Sequence, residues 1–126
     1  YGLHLGSRLP AHATSTGRVL LAALPKEALR EWLRTHSLPR LTAYTQTEAP
    51  TLRKTLTQVR ADDYCVASEE HEIGVHALAV PLRDLQGRTV AALNVVTSPQ
   101  RLQAARLEKD LLPVLRDASR ELRPLL

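Results

Sequence analysis

Ser15, Thr16 and Gly17 stand where a hydroxyl-rich loop meets an apolar helix start, within residues 6–22, GSRLPAHATSTGRVLLA. The first amides of a helix lack internal acceptors, so N–H groups at these positions can donate to an anion or a polar small molecule. A small acid is the first ligand that suits this chemistry. The same residues also make an ordinary cap, with Thr14 or Ser15 bonding forward to an amide and Gly17 giving close packing. Spacing alone leaves both readings open.

Asn94 is the second residue of interest. It lies inside the apolar run 89–97, TVAALNVVT, and a carboxamide buried there needs a partner: a ligand oxygen, a water or neighbouring backbone. Strand period puts Leu78, Val80 and Leu82 on one face of the preceding run and Ala77, Ala79 and Pro81 on the other. Leu93 and Val95 contrast with Ala92, Asn94 and Val96 in the same way. The small faces combine into one concave surface.

Two catalytic or metal readings compete with simple binding. Cys65, Glu69, Glu70, His71, Glu72 and His76 resemble a metal cluster, but none has the spacing of an HExxH helix or a CxxC knuckle, and a solvated acidic loop accounts for them. Ser15, His71 and Glu70 can be nominated as a hydrolase triad, yet no GxSxG elbow surrounds the serine. Cys65 sits in an apolar strand with no local activator and reads as a core thiol. No catalytic residue, metal site or cofactor is expected.

The elements that must position these residues follow from periodicity. Tyr1, Leu3 and Leu5 alternate as in a strand. Val19, Leu20, Ala23 and Leu24 form a helical stripe, and Pro25 opens a second helix carrying Leu29, Trp32 and Leu33. Residues 39–50 form an irregular connection, and Leu52, Leu56 and Val59 mark a third helix. Residues 64–67 read as a strand, followed by the acidic segment 68–73 and Gly74. Strands over 77–83 and 89–97 form a hairpin through Asp84-Leu85-Gln86-Gly87, expected at the centre of the sheet. A long final helix carries Leu111, Leu115, Ala118 and Leu122 on one face, with Pro113 bending or loosening it. Strands and helices do not alternate regularly, so the fold class is α+β, a central antiparallel sheet flanked by helices.

Size and charge bound the function. The 126 residues suffice for one domain with a real core. The single cysteine fits a reducing compartment, with cytoplasm as the expectation, and no apolar run approaches membrane-spanning length. The net charge is +4, but Arg30, Arg34, Arg53, Lys54 and Arg60 fall on separate amphipathic segments and read as solvated faces. With no Phe and no clustered basic run, direct DNA binding by this chain is not expected.

The chain resembles the effector-binding domain of IclR-type bacterial transcription regulators, in particular the branch responding to aromatic-acid catabolites. Residues 6–22 carry the resemblance first. It continues through Thr42-Ala43-Tyr44-Thr45, Leu52 to Val59-Arg60, Glu69-Glu70-His71-Glu72-Ile73-Gly74, Ala79-Val80-Pro81-Leu82 and Gly87 to Asn94-Val95. It implies a GAF-like or profilin-like sandwich whose cavity lies between the sheet and the 6–22 segment. Carried onto matching positions, it implies Tyr1, Leu9, Ser15, Thr16, Ala67, Ala77, Asn94 and Val96 as ligand-binding candidates, with Arg8, His12 and His76 as nearby groups that could offset a carboxylate.

Departures from the family pattern leave the strand side less polar, with Ala67, Ala77 and Val96 where many relatives carry Ser, Cys or Asp. His76 stands where Arg is common, and Asp63 where Gly is preferred before Tyr64. The resemblance implies a sensor of an aromatic or other organic acid, a homodimer or homotetramer, and contact with DNA only through a winged helix-turn-helix outside the chain. Residues 1–126 are then one domain whose opening helix and strands lie outside the chain. The alternatives are a protein-interaction or oligomerisation module without a ligand, and a small serine hydrolase.

Overall fold

The computed structural model describes residues 3–126. The strand and cavity roles expected of Tyr1 therefore fall outside the described residues. The elements in chain order are α1 (Ser15–Ala22), α2 (Lys26–Thr35), α3 (Ala49–Asp62), β1 (Cys65–Ser68), β2 (His76–Arg83), β3 (Thr89–Thr97), α4 (Ala104–Arg106) and α5 (Leu112–Leu122).

One antiparallel sheet of order β1-β2-β3 organises the molecule. Its register pairs Ala67 with Ala77, Ala79 with Asn94 and Ala77 with Val96, so the small residues share one face. Cys65 and Ala79 pack there against Val19, Leu21, Ala22, Leu52, Leu56 and Val59 of α1 and α3. Leu78 and Val80, on the bulky face, pack with Leu107, Leu112 and Leu115. Both hairpin faces thus follow the alternation in the sequence. The hairpin closes at Gly87 (φ +81°), and Asp84 Oδ1 accepts from the amides of Gln86 and Arg88 at 3.0 and 2.9 Å. Only β2 is central, whereas β3 forms an edge of the sheet as described.

Three expectations need correction. Residues 3–5 form no strand; Ser7 N–H bonds to the His4 carbonyl at 3.0 Å, the Ser7 hydroxyl accepts from His4 N–H, and Leu5 is fully exposed. The alternating leucines there lie beside a local turn and have no neighbouring strand among the described residues. In α1 the buried positions include Ser15, Arg18, Val19 and Ala22, while Leu20 and Ala23 face outward. The stripe is rotated because it includes an arginine that has a buried partner. In the last helical region, Leu112 and Leu115 are buried and Leu111 only partly so.

Pro113 acts as expected, with a local adjustment. It occupies the first turn of α5, directly after a π-helical turn over Leu107–Leu111. A proline lacks the N–H that an α-helix would use at that point, and the wider turn accommodates the missing bond. Leu107 is thereby fully buried against the sheet. Tyr64 O–H donates to Glu108 at 2.5 Å, tying the start of β1 to this turn.

Asp63 explains its own departure from glycine. It caps α3 at φ 65°, in the left-handed region that aspartate tolerates better than most side chains. Both carboxylate oxygens accept from Arg83 at 2.6 Å, and that guanidinium holds the Asp63 carboxyl below its ordinary range against the opposing effect of burial.

Burial pushes the Cys65 thiol up to about 11, with Arg18 lowering it and Glu70 raising it by smaller amounts. At pH 8 the thiol is therefore protonated as well as shielded. Iodoacetamide should label it slowly in the native chain and rapidly in urea, a ratio read by mass spectrometry; equal rates would contradict this placement. Because the folded thiol holds its proton more tightly, its contribution to stability is complete below its ordinary 9.0 and is lost as pH climbs towards about 11.

Candidate functional site

The loop before α1 folds back so that Thr14 caps the helix. Its hydroxyl accepts from Gly17 N–H at 3.2 Å and donates to the Pro10 carbonyl at 3.0 Å. This resolves the cap: Thr14 performs it, which leaves Ser15 outside the capping interaction. Ser15 is 1% exposed, and its hydroxyl has no hydrogen-bond partner among the described residues. A buried hydroxyl without a partner costs about 1–3 kcal/mol of desolvation, which a bound polar group would recover.

Gly17 enforces the approach of the loop to the helix. A Cβ there would lie 2.4 Å from Ala11 Cα and 2.5 Å from its carbonyl oxygen. Only glycine lets the backbone of residue 11 pass so close.

A small cavity of about 20 Å³ opens between this helix start and the small face of the sheet. Leu9, Ser15, Thr16, Ala67, Ala77 and Asn94, all named from the sequence, line it together. Ala13, Thr14, Glu70, His71 and Val75 complete the wall. Asn94 stands exposed on the edge strand β3, so no buried partner is required for its carboxamide.

Val96 is half-buried opposite Ala77 in the register but is absent from the cavity wall, as are Arg8, His12 and His76. Arg8 is exposed. His12 is buried, with Nε2 2.9 Å from the Pro39 carbonyl, and His76 is buried, with Nδ1 2.6 Å from the Ser68 hydroxyl. Through these contacts the two histidines tie neighbouring segments together.

An ion pair that the sequence reading did not single out supports the cavity from behind. Arg18, 1% exposed, donates to both carboxylate oxygens of Glu70 at 2.7 and 2.5 Å and to the His12 carbonyl at 2.8 Å. Thr42 and Thr45 donate to the carbonyls of Glu69 and Glu70, each at 2.6 Å. Gly74 N–H donates to Glu69 Oε1 at 3.0 Å. The 42–45 landmark and the acidic landmark are thus one latch, which fixes residues 69–75 across the mouth of the small face.

This arrangement does not assemble a catalytic serine. Ser15, Glu70 and His71 do meet at the cavity, but the Ser15 hydroxyl is not hydrogen-bonded to any base. Glu70 is held bidentately by Arg18. An activated serine needs a base in hydrogen-bond contact, itself oriented by a third group. Among the described residues, no group of three His, Cys, Asp or Glu side chains is placed to hold a metal ion, and no helix is long and apolar enough to cross a membrane.

The class of protein this defines is an α+β domain with a small cavity between a helix start and an antiparallel sheet. The chain belongs to the family of C-terminal domains of bacterial IclR transcriptional regulators, whose family model matches residues 2–123. It is 51% identical over 125 residues to the p-hydroxybenzoate hydroxylase transcriptional activator of Acinetobacter baylyi and 50% identical over 126 residues to the Pca operon regulatory protein of the same organism. Those matches cover 99% and 100% of this chain but only 46% and 45% of the two regulators, so the chain spans less than half their length.

Among solved structures, the inducer-binding domain of the Acinetobacter transcription factor PobR, a double mutant in complex with 3-hydroxybenzoic acid, superposes with a TM-score of 0.95 at 52% identity. That match covers 100% of this chain and 72% of that one. The C-terminal domain of Escherichia coli KdgR gives a TM-score of 0.84 at 32% identity, covering 93% and 71%. These relatives are transcriptional regulators and not enzymes, so the hydrolase alternative is set aside.

Proposed function

We propose that this chain binds a small aromatic acid between the start of α1 and the small face of the sheet. The observation that carries the reading is the Ser15 hydroxyl, buried without a partner at the first turn of a helix and on the cavity wall. An acid group placed there would accept from Ser15 and from the first amides of α1, with the helix dipole favouring its charge. Leu9, Ala67, Ala77 and Val75 offer the ring an apolar bed, and Asn94 can meet a ring substituent from the edge strand. The hydroxybenzoic acid held by the PobR domain is of this chemistry.

The cavity of about 20 Å³ has room for roughly one water, so an aromatic ring enters only as the walls part. The segment carrying Leu9 is irregular and exposed, and it faces the latched 69–75 loop. Binding then selects a more open arrangement, and that differential affinity is what a sensor transmits. In the longer protein a winged helix-turn-helix outside this chain would read it on DNA. The same reading carries a cytoplasmic homodimer or homotetramer, which light scattering measures directly.

Thermal-shift titration tests the pocket. With 3-hydroxybenzoate at one hundred times its dissociation constant, stabilisation of about 2.7 kcal/mol is expected. Ser15→Val and Asn94→Leu should each reduce the response, Ser15→Val more strongly, while leaving the unliganded melting temperature nearly unchanged. A full response in Ser15→Val would overturn the assignment. No response to any aromatic acid, with a tight protein partner instead, would favour the interaction module.

A further inference from the structure

The cations that are scattered along the sequence converge in space. Lys26 and Arg30 of α2 and Arg53 and Arg60 of α3 line a groove of about 350 Å³. Its floor is apolar, formed by Ala22 at the end of α1, Leu24 in the following turn, Leu29 of α2 and Leu56 of α3. None of these residues lines the cavity beneath the sheet.

Charge at the rim is poorly compensated. Arg30 has a loose, exposed contact with Glu27 at 3.7 Å, and among the described residues Arg60 reaches only the Leu24 carbonyl, at 3.4 Å. Lys26 and Arg53 have no acidic partner among the described residues. A surface that only needed solvation would intersperse carboxylates among these cations, as α2 does at Glu31 with Arg34. The groove instead presents four positive groups around an apolar bed, a volume within the range of about 300–1,000 Å³ typical of small-molecule sites.

We propose that this groove is a second ligand site, specific for an amphipathic organic anion: an aromatic or alicyclic body carrying one carboxylate or sulfonate. The apolar body lies on Leu24, Leu29 and Leu56, and the acid group is met by Lys26 and Arg53, with Arg30 and Arg60 contributing field. Because the site bridges α1, α2 and α3, its occupant would brace the helical layer that carries the Ser15 end of α1. The two sites are separable by mutation, so failure of one leaves the other standing.

The probe is 8-anilino-1-naphthalenesulfonate, titrated into the folded chain with fluorescence as the readout. Saturable one-to-one binding is expected, weakened at least tenfold in Lys26→Ala/Arg53→Ala and weakened progressively by added salt. Ser15→Val should bind the probe as the parent does. Both exposed cations lack structural partners, so the double variant should keep its melting temperature, which circular dichroism checks. The proposal is overturned if the double variant binds the probe with parental affinity, if Ser15→Val abolishes binding, or if the parent shows no saturable binding.

Discussion

Replacing Arg18 by Met should destabilise the chain by roughly 3–5 kcal/mol, the cost of leaving a carboxylate partnerless in a buried site. Glu70 is the carboxylate concerned, with its side chain 12% exposed against 2% for Arg18. The variant also strands the His12 carbonyl, which accepts from Arg18 Nε. The reverse change, Glu70→Met, should be similarly costly because it abandons a buried guanidinium. Removing both charges together in Arg18→Met/Glu70→Met should cost clearly less than the two single effects combined, since neither charge is then left alone. Urea denaturation of the four proteins measures the cycle. Additive losses would show that the pair is not a coupled unit.

The functional effect of the same cycle differs from the stability effect. The double variant restores burial but not the geometry of residues 69–75, which the bidentate contact fixes together with Thr42 and Thr45. Its folded form should therefore bind aromatic acids weakly even where its stability recovers. Parental affinity in a well-folded double variant would show that the latch has no part in shaping the cavity.

Gly17→Ala carries the second large effect. Helix propensity favours alanine over glycine by about 1 kcal/mol, so a propensity argument predicts stabilisation. Sterics point the other way, because the new methyl would meet Ala11 backbone at 2.4 and 2.5 Å and the capping Thr14 hydroxyl at 2.7 Å. The two shortest of these contacts are to backbone, which cannot swing aside as the end of a side chain could. Overpacking costs about 1–3 kcal/mol or more, and losing the Thr14 cap adds about 0.5–2 kcal/mol. The net result should be a loss of about 2 kcal/mol once the propensity gain is set against the two penalties, together with weakened effector binding as the loop is driven off α1. A higher melting temperature in Gly17→Ala would contradict the close approach.

Alternation made the hairpin readable: Ala77, Ala79 and Pro81 against Leu78, Val80 and Leu82 gave both faces and, with them, the small-residue wall. Asp63 was visible as a substitute for glycine and proved to sit in the left-handed region. Six of the proposed cavity residues line one small cavity because a hydroxyl-rich helix start and a small-residue sheet face are local signals that packing brings together. The latch was harder to see. Ser15, Arg18, Val19 and Ala22 follow the spacing of one helical face, but an arginine on such a face looks solvent-directed unless its distant partner is known. Glu70, 52 residues away, is that partner.

The leucines near the start mislead for the opposite reason. Their alternation is a real strand pattern, but a strand needs a neighbour to hydrogen-bond, and the described segment makes its own turn at His4 and Ser7. Likewise His12 and His76 looked available as isolated residues. Their carbonyl and hydroxyl partners come from Pro39 and Ser68, which no spacing rule connects to them. The four cations of the α2–α3 groove share this origin, each an ordinary amphipathic position until the fold brings them to the lining of one groove.

The most direct test of the central claim is amide chemical-shift mapping of the isotopically labelled chain titrated with 3-hydroxybenzoate. Saturating shifts should be largest at Ser15, Thr16 and Gly17, accompanied by Ala67 and Ala77 across the cavity, and should need markedly more acid in Ser15→Val. Shifts confined to the α2–α3 groove, or none at saturating acid, would contradict an aromatic-acid site at the start of α1.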